Sequence, residues 1–399
     1  VSASANGSPD QETKVPHGSG NPLVFVIRMS AIGDVVMTAR ALSALNANGL
    51  EPVLVTSPGL ADIARCLTPA TAFLTIEGDT VRAYRKEESA PGGREVDLAE
   101  LLAGRLDASS VLDLHVTSRS RRARGALVQA LTAAGARAPS SFTKVSKRTV
   151  FRVLLVFWAW LRAIFLRQKT LPRERDFRPV HDVHDLQAAA VERHLGRLGR
   201  APSALPSPLL SPLLATGHLF SGGPLLAAGK PLVAGAYVCL VPGASGFVKQ
   251  WPKENFRALM ASLFARGIDT IVVVGGKADR HLGTYLTLSP EFTGRDVRDV
   301  TGTLDLASTF RLLEHAQHVF TCDTFAAHVV DLTETPATVF FGATTPRFGF
   351  VPRSPRVALV YDALACSPCT RHGLSPCRFG NVLCLRGVTP ERALKTLER

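Results

Sequence analysis

Between two apolar runs lies Cys322-Asp323-Thr324-Phe325-Ala326-Ala327-His328, whose residue types suit anion binding. Val319 to Cys322 reads as a buried strand and Ala337 to Gly342 as the next. The polar residues then stand at a strand's carboxyl end, where open α/β sheets bind ligands. Asp323 or Thr324 can cap the helix that starts there, and the unpaired N–H groups of its first turn favour a negative charge. His328, one turn in, adds a donor. A capped helix with a core histidine has the same local pattern, so other segments decide. Gly243-Ala244-Ser245, Gly275-Gly276 and Thr301-Gly302 fall at three more expected strand tips. Small residues there let the backbone approach a phosphate closely. Lys249 offers a mobile cation for a diphosphate. Asp279 can hydrogen-bond a ribose hydroxyl. Each glycine alone is an ordinary turn; together the segments describe a nucleotide-diphosphate pocket.

The elements that must position these residues alternate between strand and helix in both halves of the chain. In the first, Leu23 to Arg28 is an unbroken apolar run, hence a parallel strand. A turn over Met29 to Asp34 leads into a helix from Val35 to Asn48, then strands at Pro52 to Thr56 and Val111 to His115. In the second, strands are expected at Ala236 to Val241 and Asp269 to Val274, with helices over Pro252 to Arg266 and Leu306 to His315. Trp251-Pro252 reads as structural, the indole burying a joint and the proline opening a helix. The expected organisation is a disordered leader over 1–21, an α/β domain over 22–200, a Pro, Gly, Ser and Leu-rich linker over 201–232 and a second α/β domain over 233–399. Two such domains facing across a cleft make a two-Rossmann architecture.

With 399 residues, two domains are the natural expectation, and 46% apolar content gives ample core. The net charge of +13 is concentrated: Arg119 to Lys169 holds 12 Lys/Arg and no Asp or Glu. That points to a polyanionic partner. A nucleic-acid partner is disfavoured, because the segment is aliphatic and contains Trp158 and Trp160. Val150 to Leu166 is the longest apolar stretch and is interrupted by Arg152 and Arg162, so it is too short to span a bilayer. Those arginines lie about 80° apart around a helix. They can share one polar edge, with stems reaching lipid headgroups while Leu154, Leu155, Trp158 and Leu161 face elsewhere. The other reading is a buried helix whose arginines reach solvent. No signal peptide is visible, and the expected setting is cytoplasmic, at a membrane surface.

Cys66, Cys239 and Cys322 sit in apolar or strand-like settings and read as core residues. Cys366, Cys369, Cys377 and Cys384 follow a C-x2-C-x7-C-x6-C spacing. In a reducing compartment this favours a structural metal over disulfides, the alternative being a reduced surface loop.

Arg28-Met-Ser-Ala-Ile-Gly-Asp34-Val-Val-Met-Thr-Ala-Arg-Ala-Leu42 resembles the opening motif of the lipopolysaccharide heptosyltransferases. Pro242-Gly-Ala-Ser…Lys249-Gln-Trp-Pro252, Gly275-Gly276…Asp279, Thr301-Gly302 and Asp323-Thr324…His328 resemble that family's second-domain motifs in the same order. Val111-Leu-Asp-Leu-His115…Arg119-Ser120 and the C-terminal cysteine cluster also fit. The likeness covers most of residues 23–395. It implies a GT-B fold and inverting transfer of heptose from ADP-heptose to the lipid A-core acceptor, with no metal required for catalysis. It implies Asp34 as general base, against the plainer reading of Asp34 as a helix cap. Ser245, Lys249, Thr324 and His328 would face the diphosphate and sugar. Asp279 and Leu304 would line the nucleoside site, and Asp323 the heptose. The chain departs from the family pattern at Phe325, where glycine is usual, and at Asp279, where glutamate is. Two rival classes follow: a non-catalytic or different-donor nucleotide-sugar binder, and an NAD-dependent oxidoreductase. The latter is disfavoured because Met29 to Asp34 lacks G-x-G-x-x-G.

Overall fold

The computed structural model describes residues 21–398 apart from 68–71, 88–89, 104, 106–108, 115–116, 137–140, 144–147, 171–181, 201–232 and 234. The expected leader and linker, and His115, therefore lie outside the described residues apart from Asn21.

The first half builds a seven-stranded sheet from β1 (Leu23–Ile27), β2 (Glu51–Thr56), β3 (Ala72–Glu77), β4 (Thr80–Glu87), β5 (Ala90–Val96), β6 (Ser110–Asp113) and β7 (Ser141–Thr143). Its order is β5-β4-β3-β2-β1-β6-β7. β1 is buried at every position, as its unbroken apolar run requires of a central parallel strand. β3, β4 and β5 form an antiparallel edge that the sequence pattern did not signal. The second half builds a six-stranded, wholly parallel sheet from β8 (Val238–Val241), β9 (Thr270–Val273), β10 (Asp296–Asp299), β11 (His318–Cys322), β12 (Ala337–Phe340) and β13 (Val357–Val360), in the order β10-β9-β8-β11-β12-β13. Trp251 is buried, stacks on Phe340 at 4.1 Å and donates its indole N–H to the Val388 carbonyl at 2.8 Å. Pro252 then caps the helix Lys253–Ala265, as expected.

One apolar core runs through both halves, joining Val35, Leu42 and Leu45 to Val241, Val329 and Val330. The short helix Ile32–Met37 packs on the helix Phe325–Thr333 across the domain boundary. Beside them Arg40 pairs with buried Asp331 at 2.9 Å, and the Ser354 N–H donates to the same carboxylate at 2.7 Å.

The helix Arg148–Leu166 corrects both readings of its arginines. Arg152 Nη2 donates to the Arg371 carbonyl at 2.5 Å, and Arg162 Nη2 to the Ser367 carbonyl at 3.1 Å. The polar edge therefore faces the protein, not headgroups or solvent. Beyond its end, Gln168 exchanges amide hydrogen bonds with Asn381 at 2.8 Å. The surface left outside is apolar: Phe165 is 83% exposed, Trp158 59% and Trp160 50%. Among the described residues no helix is long and apolar enough to cross a membrane.

Candidate active site

Strand order reverses at β1, which lies between β2 and β6, and at β8, between β9 and β11. Ligands of open α/β sheets bind at such switch points. The tips after β1, β6, β8 and β11 converge on one cleft of about 1120 Å³ lined by Arg28, Asp34, Leu114, Gly243, Asp323 and Thr324 among others.

Asp34 enters on the helix Ile32–Met37. Arg28, itself buried, pairs with its Oδ2 at 2.8 Å and donates to the Leu114 carbonyl at 2.7 Å. That joins the tips of β1 and β6 and orients the carboxylate, which remains 20% exposed to the cleft. The helix-cap reading of Asp34 is overturned, because Ala31 holds the N-cap position. Ala31 does so at φ 56, a conformation a non-glycine residue adopts at a cost and one common at functional sites.

Gly33 explains how the two domains meet. A Cβ there would come within 2.7 Å of the His328 ring. His328 is buried, and burial pushes its pKa down despite the nearby charges of Asp323, Asp331 and Asp34. Its Nδ1 has no hydrogen-bond partner. The ring is a neutral imidazole at the cleft, able to donate one N–H to an anion.

Lys249 and Asp323 form an ion pair at 3.0 Å, and Thr344 donates to Asp323 at 2.8 Å. Thr324 is the N-cap of Phe325–Thr333, its Oγ1 accepting from the Ala326 N–H at 3.3 Å. Phe325 lines the cleft without disturbing that helix start, its side chain partly packed on the shared core. Ser245 is exposed on the cleft wall. Asp279 folds back so that its Oδ2 accepts from the Gly276 N–H at 2.8 Å. A Cβ on Gly243 would overlap that carboxylate, which is why the loop after β8 needs glycine. Leu304 forms an apolar wall with Leu306 and Leu313. Thr301 and Gly302 do not line the cleft; Gly302 turns at φ 67 over Lys277, so this tip contributes Leu304 instead.

The structure does not support the metal expected at Cys366, Cys369, Cys377 and Cys384. Among the described residues, no three or more His, Cys, Asp or Glu are grouped to hold a metal ion. Cys384 is buried in the second domain's core, against which Cys366 and Cys377 also pack. Burial pushes Cys366, Cys369 and Cys384 upward, Cys369 to about 11, with neighbouring thiols adding to the effect. The sequence reading passed over Arg28 as a site residue, and also missed Arg152, Arg371, His372 and Thr344, all of which line the cleft.

Residues 223–379 match the profile of glycosyltransferase family 9 (heptosyltransferase). The matched stretch lies in the second half of the chain and covers less than half of it. Over 108 residues it is 28% identical to lipopolysaccharide heptosyltransferase 3 of Escherichia coli, a match spanning 27% of this chain and 32% of that protein. The match thus covers about a third of that relative's length. Beyond the matched residues, the chain shares its fold over most of its length with solved heptosyltransferases. For the E. coli ADP-heptose lipopolysaccharide heptosyltransferase II the TM-score is 0.57 at 16% identity, covering 94% of this chain and 97% of that one. For E. coli heptosyltransferase WaaC, solved with ADP, it is 0.56 at 16% identity, covering 94% and 99%. The fold is GT-B, two Rossmann-like domains facing across a cleft.

Proposed function

We propose that this protein is an inverting glycosyltransferase that moves heptose from ADP-heptose to a hydroxyl of the lipid A-core acceptor. The observation that supports this best is the meeting, in one cleft, of Asp34 from the first domain with Lys249, Asp323, Thr324 and His328 from the second. An attacking hydroxyl must lose its proton, and Asp34 is the base. The diphosphate leaves with growing negative charge. Lys249, Ser245, the His328 N–H and the amides after Thr324 stabilise that charge, so these groups can do without a metal what a bound cation does elsewhere. Lys249 shifts from Asp323 towards the phosphates as donor binds. Asp323 lies beside the heptose, while Asp279 and Leu304 face the nucleoside.

The acceptor is a lipid, and the apolar face of Arg148–Leu166 suits a membrane surface. Trp158 and Trp160 belong at a membrane–water interface. Exposed Arg167 and Lys169 follow the helix, and Arg378 lies over the Trp160 ring at 5.4 Å, giving a basic rim for anionic headgroups. The protein then works peripherally on the cytoplasmic side of the inner membrane.

The test is a donor comparison. The full chain is incubated with ADP-heptose, UDP-sugars or GDP-sugars and a truncated lipopolysaccharide acceptor, and nucleotide release is followed. ADP release from ADP-heptose that depends on acceptor is the expected result. Turnover of a UDP- or GDP-sugar alone would reassign the donor, and binding without turnover would make the protein a nucleotide-sugar binder.

A further inference from the structure

Behind the cleft, a buried carboxylate joins the two lobes. Asp331 lies one turn beyond His328 on the helix Phe325–Thr333. Its Oδ2 pairs with Arg40 Nη2 at 2.9 Å, and its Oδ1 accepts the N–H groups of Arg353 and Ser354. His184 Nε2 stands 3.6 Å from Oδ2. Arg353 in turn reaches Asp182 at 3.0 Å and Asp185 at 2.6 Å, and the Val183 N–H donates to the Gly349 carbonyl at 3.0 Å. Arg40, Asp182, His184 and Asp185 come from the first half of the chain, and Asp331, Arg353 and Ser354 from the second. None of these residues lines the cleft.

Both ends of the pair lead to groups that face the cleft. Thr38 joins the helix Ile32–Met37 to the helix Ala39–Ala47: its hydroxyl donates to the Asp34 carbonyl at 3.0 Å, and its carbonyl accepts the Leu42 N–H at 3.1 Å. Arg40 stands beyond Asp34 on this continuous stretch, about 9 Å along the axis, and Asp331 beyond His328, about 4.5 Å along its own. A buried carboxylate stripped of its cation is strongly disfavoured, so the pair does not part as the lobes move. Gly33 against the His328 ring is a second contact between the same two helical stretches, and it has no directional bond. The ion pair supplies the direction. Points near a pivot travel little when lobes swing, so Asp34 and His328 keep their spacing while the rim of the cleft closes. Resting on the reading of the protein as a transferase, we propose that the Arg40–Asp331 pair is the pivot of lobe closure and positions Asp34 against the donor-binding end of the helix Phe325–Thr333. Neither residue touches substrate; both are positioning residues. A nucleotide diphosphate bound at the first turn of that helix is then felt, through the pair, at the helix that bears Asp34.

Removing both charges together tests this without stranding either. The full chain carrying Arg40→Met with Asp331→Asn keeps an unbranched stem at Arg40 and an oxygen for the N–H groups of Arg353 and Ser354. Two measurements are made well below its melting temperature. In the first, with ADP-heptose and a truncated lipopolysaccharide acceptor, kcat is expected to fall about 10-fold to 100-fold, as for a small misplacement of reacting groups. The donor KM and the ADP Kd should stay within about twofold of the parent. Arg40→Lys alone, which keeps the charge, should retain more of the parent's turnover than the double variant. A pair that only stabilised the fold would lower the melting temperature and leave kcat of the folded protein unchanged. That result overturns the pivot, as does a loss of ADP affinity equal to the loss in kcat. In the second, hydrogen exchange is followed by mass spectrometry. ADP should slow amide exchange over residues 32–47 in the parent and not in the double variant. Equal slowing in both, or none in the parent, also overturns the pivot. Exchange needs no turnover, so a parent that leaves ADP-heptose intact beside its acceptor fails the transferase reading alone.

Discussion

Asp34 is held by a buried arginine that also ties together two strand tips, so its carboxylate direction is set by Arg28 and not by its own helix. Asp34→Asn keeps the shape and removes the basicity. Turnover is expected to fall by about 10² to 10⁴ with ADP affinity unchanged; near-normal turnover would take Asp34 out of the role of base. Lys249→Ala should weaken ADP by about 1.5–3 kcal/mol while adenosine binds variant and parent alike. Equal loss for both ligands would indicate a folding defect. Gly33→Ala should drive its methyl into the His328 ring and lower turnover without touching either charged pair; full activity would show that the ring can move freely. At this scale much of the site was legible, because Asp34, Lys249, Asp323, Thr324 and His328 stand at strand tips that a pattern of apolar runs locates. Arg28 was hidden as the end of a strand, and Arg371 and His372 stand in a loop with no periodicity. Their part depends on contacts between residues hundreds of positions apart, which spacing does not encode.

Among the elements, the central parallel strands were readable because burial on both faces demands unbroken apolar runs. The antiparallel edge was not, since β4 and β5 carry Arg82, Arg85, Arg94 and Glu95 on an exposed border. The helix Arg148–Leu166 marks the limit of periodicity. Spacing puts Arg152 and Arg162 near one edge, but nothing in the spacing says whether that edge meets water, lipid or protein. The two buried strand-and-helix histidines give an expectation in pH. Burial pushes His194 and His318 down to about 4, where they accept bonds with or donate to Ser110 and Thr338 at 3.0 and 2.8 Å. In the unfolded chain both titrate near about 6.5. Between those values the unfolded state binds protons that the folded state does not, so stability is complete above about 6.5 and falls as pH drops towards 4. The slope is up to about 1.4 kcal/mol per pH unit for each histidine. Urea midpoints at successive pH values should record it, and His318→Gln should remove that residue's share and leave the share of His194. A midpoint constant across that window would contradict the assignment.

For the whole molecule, the shared core and the Arg40–Asp331 pair hold the domains against each other, while the apolar helix is left outside. Anionic liposomes are expected to bind the parent less as salt rises, and Trp158→Ser with Trp160→Ser should abolish binding with the fold intact. Absence of binding at every salt concentration would leave that face without a lipid partner. The attachment of this helix has a consequence for movement. Although it arises in the first half of the chain, its arginines and the residues beyond its end are fastened to Ser367, Arg371 and Asn381 of the second. A bilayer gripping the helix would hold the sugar-nucleotide lobe still, like the fixed plate of a vice, and the Asp34 lobe would be the moving jaw. Each catalytic cycle would then be paced by one lobe swinging over a stationary partner, and a rigid cross-link between the helix and the first lobe would stop the jaw without loosening the protein from the membrane.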